Sequence, residues 1–490
     1  MTDEQIRTYG GWRRSRGMGL FGLGSAQTAT VLGAVTVLAG SGSLGLSTLA
    51  VTAPFCLIVI ILMLARWDGV PLAAGIAQRV RWLVGTGRGS TRYQSGMAAT
   101  GQHAWDLPGV LAPTRLLSVP DPGGDYGIVY NQRLGTMAVT LRCAATSTWL
   151  SDASTTASWV SSWGGWLANL GYLPIVSHVA VTVDTAPDQG SRLGEHVSRR
   201  IVPNSPAAAQ RVLRRLVEVS PAASADVETR VTIVFRPAAS PAKPRNQQEA
   251  LDEISRTLPG LQDALGGCGL TVLGRATAQQ LTAIVRAAYD PAIRGDLARL
   301  SHHDLGRWVD WSSCGPVAAE EHIDRYEHDS GISVSWAWHE APRQAVHADV
   351  LARLLSPGPY PKRVTLLYRP LPAGEAARVV EAEVNAATFR QAYNRAQRRD
   401  ETARDLADRE RAQQTAREEA TGAGVGLLSL WVTTTVLDAD DLGRAVADVE
   451  SRADVAKIRL RRQRAGQAAG FATTLPCGVC PPQLARHWPR

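Results

Sequence analysis

The stretch that decides the architecture runs from Gly17 to Ala65 and reads GMGLFGLGSAQTATVLGAVTVLAGSGSLGLSTLAVTAPFCLIVIILMLA. Its 49 residues contain no Asp, Glu, Lys or Arg. One bilayer crossing takes about 20 mostly apolar residues, so the length fits two spans and a tight turn. Gly40-Ser41-Gly42-Ser43 is the natural turn, which places the spans at about 20–39 and 46–65. The second is the more apolar, and Pro54 is expected to kink it. The first carries Gly22, Gly24 and Gly33, small residues that favour close helix packing in lipid. A cleaved signal peptide has a single short apolar core, and the second, longer run argues against one.

The flanks orient this hairpin. Arg7, Arg13, Arg14 and Arg16 precede it, Arg66, Arg79, Arg81, Arg88 and Arg92 follow it, and the turn holds no basic residue. Basic residues mark the cytoplasmic side, so both termini are expected in the cytoplasm. Trp12 and Trp67 sit at the exits, where an indole suits the interface. With Arg13, Arg14, Arg16 and Arg66 they are the expected membrane-interface anchors. A short basic stretch, Gln78 to Trp82, is expected to lie along the membrane surface.

Charge is unevenly spread. The chain of 490 residues has a formal net charge of +8, of which +6 lies in residues 1–92. The basic character therefore belongs to the membrane collar and not to a nucleic-acid-binding body; direct contact with nucleic acid is not expected. Six cysteines in so long a chain make no disulfide framework, and reduced thiols suit a cytoplasmic body.

Beyond the anchor the sequence reads as a membrane-anchored α+β protein. Residues 1–16 form a basic N-terminus, 17–65 the hairpin, and 66–135 a membrane-proximal segment and linker with small β structure. Residues 136–295 form a first α+β unit. In it, 148–170, 206–219, 246–265 and 277–290 read as helices, and 175–184, 229–236 and 269–275 as strands. An irregular connector, 296–330, leads to a second unit over 331–464. That unit has strands at 332–338, 364–369, 425–436 and 454–461, helices at 343–355 and 440–452, and a long charged helix at 373–420. Residues 465–490 read as a tail. Both units have a βαβ-rich, ferredoxin-like pattern, as a degenerate duplication would produce.

Chemical motifs are sparse. A phosphate-binding P-loop needs a Lys directly after a Gly, whereas the three lysines follow Ala242, Pro361 and Ala456. No catalytic or cofactor-binding residue is assigned, and no cofactor is expected. Cys477-Gly-Val-Cys480 lacks the second pair of a zinc site. His302, His303, His322 and His328 form a cluster whose spacing matches no catalytic zinc pattern. Trp159, Trp163 and Trp166 share one helix face, which suits core packing.

The hairpin, the α+β body and the ending Ala469-Gly-Phe-Ala-Thr-Thr-Leu-Pro-Cys-Gly478 together resemble an actinobacterial family of conjugation-associated membrane proteins. Trp12-Arg13-Arg14 and Gly19-Leu-Phe-Gly-Leu23 also look like that family's start. The hairpin is similar to the PrgI-like inner-membrane subunit of type IV secretion. The body resembles the N-terminal half of the TraC/TrbE-type traffic ATPase, in which a Phe-x-x-x-Leu-Pro-x-Gly segment leads into the motor. Phe471, Leu475, Pro476 and Gly478 match that segment and are implied as an ATPase-docking lip. The resemblance implies a non-catalytic scaffold within a homo- or hetero-oligomeric assembly. Its partners would be the lipid bilayer, a separately encoded hexameric ATPase and other secretion-channel subunits. Two other readings stand beside it. One is an EccE-like membrane component of type VII secretion, which neighbouring genes for WXG-type substrates would support. The other is a membrane-bound enzyme using the His302–His328 region.

Overall fold

The computed structural model describes residues 8–10, 25–67, 70–96, 104–146, 151–187, 197, 200, 205–219, 225–300, 304–306, 309–342, 344–396, 403–420, 422 and 424–487. The chain is a mixed α+β protein that divides into two units. One comprises residues 11–90 and 372–425, the other residues 1–10, 91–371 and 426–490.

The helical unit begins with α1 (Ser25–Leu44) and α2 (Leu46–Leu64), which pack on each other as a hairpin. The helix runs straight through the expected Gly40–Ser43 turn. The reversal instead falls at Gly45, whose φ of 128° lies where a side chain is disfavoured. The serine hydroxyls in this stretch are satisfied by carbonyls of the same turn, Ser41 donating to Leu38 O and Ser43 to Gly40 O. Between the helices, Thr52 Oγ1 donates to Ser41 Oγ at 2.8 Å near the turn, and Gln27 Nε2 to Met63 O at 3.4 Å near the open end. Among the described residues one helix, α2, is long and apolar enough to cross a membrane. Helix α1, with its many Gly, Ser and Thr, falls short of that measure.

After α2 the chain reverses through a two-residue antiparallel ladder, β1 (Arg66–Trp67) with β2 (Val70–Pro71), into α3 (Leu72–Gly87). Arg66 is exposed, and of Trp67 only the backbone is described. Trp12, Arg13, Arg14 and Arg16 lie outside the described residues.

Among the described residues the second unit holds one antiparallel sheet of 13 strands. Its first elements are β3 (Arg92–Gln94), β4 (Thr114–Val119), β5 (Tyr126–Asn131), β6 (Thr136–Ala145), α4 (Ala153–Leu170), β7 (Val176–Pro187) and α5 (Ala207–Val219). Next come β8 (Ala225–Phe235), α6 (Gln247–Ala264), β9 (Leu270–Arg275), α7 (Ala278–Tyr289) and α8 (Arg294–Arg299). The second run is β10 (Ala318–Glu321), β11 (Tyr326–His328), β12 (Gly331–Glu340), α9 (Ala352–Leu355) and β13 (Lys362–Pro370). At this point α10 (Ala373–Ala396) and α11 (Ala403–Ala420), members of the helical unit, intervene and pack on each other. The sheet unit resumes with β14 (Gly426–Val436), α12 (Leu442–Val455), β15 (Arg459–Arg462), α13 (Gln467–Thr473) and α14 (Pro481–His487).

The two runs repeat one plan. In the first, β6, β7, β8 and β9 lie in the spatial order β9-β6-β8-β7, with α4 and α6 in the connections. In the second, β12, β13, β14 and β15 lie in the order β15-β12-β14-β13, with α9 and α12 in the corresponding places. Each has a leading hairpin alongside, β4–β5 in one and β10–β11 in the other. The two halves do not stand apart as separate sheets. Strand β7 pairs antiparallel with β13, and Thr182 and Thr365, directly opposite, share a hydroxyl hydrogen bond of 2.9 Å.

Several expectations need correction. The connector 296–330 contains β10 and β11, because β3 and β12 supply partners for short, charged strands. The helix expected at 343–355 is confined to Ala352–Leu355. Val346 is held extended by paired bonds to Tyr9, of 2.8 and 2.7 Å, which removes it from any helix. The long helix 373–420 is two helices. The strand expected at 454–461 begins only at Arg459, since Lys457 takes φ 57° after α12 ends. The tail is not loose: α13 and residues 475–480 belong to the core.

One sheet face is oily. Val139, Leu141, Val231, Ile233 and Phe235 meet Trp166 of α4 and Ile254 and Leu258 of α6. In the second half Val334, Trp336, Val364 and Val432 meet Val449 and Ala453 of α12. Trp166 also donates from Nε1 to Leu261 O at 3.2 Å and stands edge-on to Trp163, so the tryptophan face is core.

Candidate functional site: a polar sheet face under a C-terminal strap

Side chains alternate along a strand, so the residues between the oily positions point to the opposite face. There the central strands carry Thr140, Thr182, Thr232, Ser333, Ser335, Thr365, Thr433 and Thr435, all buried. They bond in pairs across strands: Thr140 to Thr232 at 3.0 Å, Ser335 to Thr433 at 2.9 Å and Ser333 to Thr435 at 2.8 Å. Each hydroxyl thereby satisfies its neighbour, which a buried polar face requires. Threonine at these positions keeps a strand-compatible β-branched shape while supplying the polar atom.

The same face carries the charges. Arg230, 2% exposed, bonds Asp184 Oδ2 at 2.8 Å and Glu228 at 2.8 Å, while Arg294 reaches Asp184 Oδ1 at 3.2 Å and Asp226 at 3.4 Å. Burial pushes the Asp184 carboxyl up, but Arg294, Arg230 and Arg363 together outweigh it and hold it well below the usual carboxylate range. Arg363, from β13, is also buried and makes no ion pair among the described residues. Its Nε donates to Thr474 Oγ1 at 3.1 Å and its guanidinium lies 4.8 Å over the Phe471 ring. Burial lowers it to about 10, with Asp184 opposing and Arg230 and Arg294 reinforcing.

Across this face lies the strap formed by α13 and the segment that follows. Ser335 N donates to Gln467 Oε1 at 2.7 Å, Ala468 N to Glu321 Oε1 at 3.1 Å, and Gln483 Nε2 to Ser177 Oγ at 2.8 Å. The strap therefore bonds to both halves of the sheet. Phe471 packs against Tyr289, Tyr326 and His328, at ring centroid distances of 4.9, 5.5 and 4.8 Å. Leu475, Cys477 and Val479 continue into the same cluster. Gly478 takes φ 69°, and a Cβ there would meet Ala138 and Val234 at 3.0 and 3.1 Å. This glycine serves close approach of the strap to the sheet.

The expected docking lip is thus internal. Phe471 and Leu475 are 0% and 3% exposed, Pro476 is buried and Gly478 half-buried. This chain's own sheet occupies the side chains that would have faced an ATPase. The two described histidines of the expected cluster do not come together either. His328 is buried, donating from Nδ1 to Tyr289 O at 2.6 Å and accepting at Nε2 from Ser333 Oγ at 2.8 Å; burial drives it down to about 4. His322 lies 3.4 Å from Glu327, which points to the other side of β11. His302 and His303 lie outside the described residues. Burial lowers a further histidine, His178, to about 3, against a hydrogen bond to the Gly478 backbone. Cys477 and Cys480 are buried, and burial pushes the Cys477 thiol up to about 12. A thiol so protonated is a poor nucleophile and a poor metal ligand.

Chemically, this arrangement holds charge. Guanidiniums do not shuttle protons, and both buried histidines are neutral near pH 7. What the site can do is lock the strap to the two halves of the sheet. The Asp184–Arg230–Arg294 cluster was invisible in the sequence because its members lie 46 and 110 residues apart. The one available signal was Arg230 and Arg363, each standing directly before a β-branched or apolar strand run, Val231-Thr-Ile-Val-Phe235 and Val364-Thr-Leu-Leu367.

Apart from this face, a cleft of about 370 Å³ is lined by residues that include Asp106, Arg115, Asn131, Arg133 and Leu484, and Arg115 pairs with Asp106 at 2.9 Å. No protein-family model matches the chain, and no curated protein matches it.

Proposed function

We propose that the protein is a non-catalytic inner-membrane scaffold of a conjugative, type IV-like DNA transfer apparatus. In this reading α1 and α2 both cross the bilayer, both termini are cytoplasmic, and the body engages a separately encoded hexameric ATPase and other channel subunits. The observation that carries the membrane part is the outward surface of the hairpin. Leu46, Val51, Phe55, Leu57, Ile58 and Ile61 of α2, and Leu32, Val35 and Val37 of α1, are about half exposed or more. Unpartnered apolar surface on that scale marks an interaction site, and a bilayer satisfies it along the whole helix. Ser41, Thr48 and Thr52 then act as interhelical hydrogen-bonding groups inside lipid.

We read the two sheet halves as fused ferredoxin-like units. The 4-1-3-2 strand arrangement in each supports this, with a β-α-β-β-α-β order once the helices inserted between the second and third strands (α5 in one, α10 and α11 in the other) are set aside, as does the repeat of the whole plan. The conjugation reading rests on the resemblance of the hairpin and of residues 469–478. With Phe471 and Leu475 internal, a better ATPase-facing surface is the α10–α11 pair, which exposes Val379, Phe389 and Leu406 among many charges.

The test is made in native membranes. The protein should resist alkaline carbonate extraction and co-purify with a conjugation ATPase, and its deletion should abolish DNA transfer. Release by carbonate refutes the anchor. An intact transfer phenotype without a co-purifying ATPase refutes the scaffold role.

A further inference from the structure

We infer that α3 is a second membrane element: an interfacial helix that lies on an anionic bilayer surface beside the end of α2. This rests on the reading of α2 as a membrane span.

Helix α3 has no buried residue. Its half-buried positions are Leu72 and Ala73 in the first turn, followed by Gly75, Gln78, Trp82 and Gly85, and from Gly75 onward they fall on one side of the helix by spacing. The large apolar side chains lie mostly elsewhere. Ile76, Val80, Leu83 and Val84 are 48%, 52%, 62% and 46% exposed. Their spacing of four, seven and eight residues makes a continuous stripe. The helix thus turns a side of glycines and one tryptophan inward and a branched-aliphatic stripe outward, the reverse of the usual burial preference.

The occupant is fixed by two further features. First, the stripe is continuous with a lipid-facing element. Leu72 N donates to Ala65 O at 2.9 Å, and α3 contacts α2 directly, so α3 starts at the depth where α2 ends. Second, the borders of the stripe are basic. At 100° per residue, Arg79 falls on one edge, and Arg81 and Arg88 on the other. No acidic residue occurs between Val70 and Thr100. Arginines flanking an apolar stripe can reach headgroup phosphates while their stems lie on acyl chains, and anionic lipid adds attraction for each charge. An acidic protein groove would match the charge, but it would have to sit where the headgroups of the α2 bilayer already lie.

The test uses the full chain reconstituted into vesicles of phosphatidylethanolamine and phosphatidylglycerol. Nitroxide labels go on Val80→Cys, Leu83→Cys, Ala74→Cys and Ile58→Cys, one at a time. The six native thiols are buried, so the introduced cysteine labels selectively. Accessibility to oxygen, which partitions into lipid, is compared with accessibility to a water-soluble nickel chelate. The expected result is oxygen preference at 58, 80 and 83 and nickel preference at 74, with the contrast at 83 shrinking in pure phosphatidylcholine. Nickel preference at 80 and 83 with oxygen preference at 58 overturns the inference and leaves the anchor standing. Shielding of 80 and 83 from both reagents overturns it in favour of a protein partner. An undiminished contrast in phosphatidylcholine overturns the anionic-surface assignment. Nickel preference at 58 removes the anchor itself, and the inference with it.

Discussion

Acid should weaken the sheet unit well before the ion-paired carboxylate of Asp184 titrates. His178 and His328 are both buried and neutral, with folded values of about 3 and about 4 against an ordinary 6.5. A histidine whose folded pKa is depressed leaves stability intact above 6.5. It withdraws stability as pH falls from 6.5 toward the folded value, because the unfolded chain binds the proton first. From about pH 7 to about pH 5 each contributes a loss of about 2 kcal/mol, or about 4 kcal/mol together. That is a large share of a typical total of about 5–15 kcal/mol. Glu321 acts in the opposite sense. Burial raises its pKa, so acid relieves a penalty there. Asp184, held low, keeps its contribution until pH falls below its unfolded value near 4. The assay is urea unfolding of the detergent-solubilised chain, followed by tryptophan fluorescence, at about pH 7, 6 and 5. The control is the double variant His178→Gln, His328→Gln. Both substitutions alter packing, so its absolute stability is not the readout; the slope against pH is. A flat wild-type profile over that range would refute the reasoning, as would a double variant that keeps the wild-type slope.

Other perturbations bear on the same architecture. Asp184→Ala leaves Arg230 and Arg294 short of a buried partner and should cost about 3–5 kcal/mol, read as a lowered urea midpoint at about pH 7. Gly478→Ala adds a Cβ against Ala138 and Val234 at a positive φ and should cost about 1–3 kcal/mol; limited proteolysis should then cut within residues 474–483 before any other site in the sheet unit. Phe471→Ala empties the space between Tyr289, Tyr326 and His328 and should cost about 3–5 kcal/mol, measured by thermal unfolding. Gly45→Ala strains the α1–α2 reversal, and pairwise crosslinking of cysteines placed on the two helices should fall.

Much of the fold was legible. Strands such as 229–236, 332–338 and 425–436 carry β-branched or aromatic runs, and helices such as 246–265 carry clear caps: Asn246 accepts from Glu249 N, and Thr277 and Gln280 form a capping box. What failed was decided by distant partners. Glu320 and Glu321 have low strand propensity and become a strand because β3 and β11 pair with them on either side, Arg92 standing opposite Glu320. Val346 leaves its expected helix for Tyr9, far away in sequence. The fusion of the two halves depends on β7 meeting β13, which no local pattern encodes. The candidate site was the least legible part. Thr182 and Thr365 look like ordinary strand residues, and their pairing across 183 positions appears only in space.

The strap carries a consequence for how the chain is made. Ser177 and its partner Gln483 are separated by 306 positions. During translation the strands β6, β7 and β8 leave the ribosome long before the residues that cover their polar face. Throughout that interval Arg230, Asp184 and the threonine rows are hydrated and open, while the oily face can already close on α4 and α6. Hydroxyls and charges are well solvated by water, so the exposed side of this half-built sheet is a poor template for aggregation. Locating the polar residues beneath the late-arriving segment lets the nascent chain wait for its last layer in a soluble form.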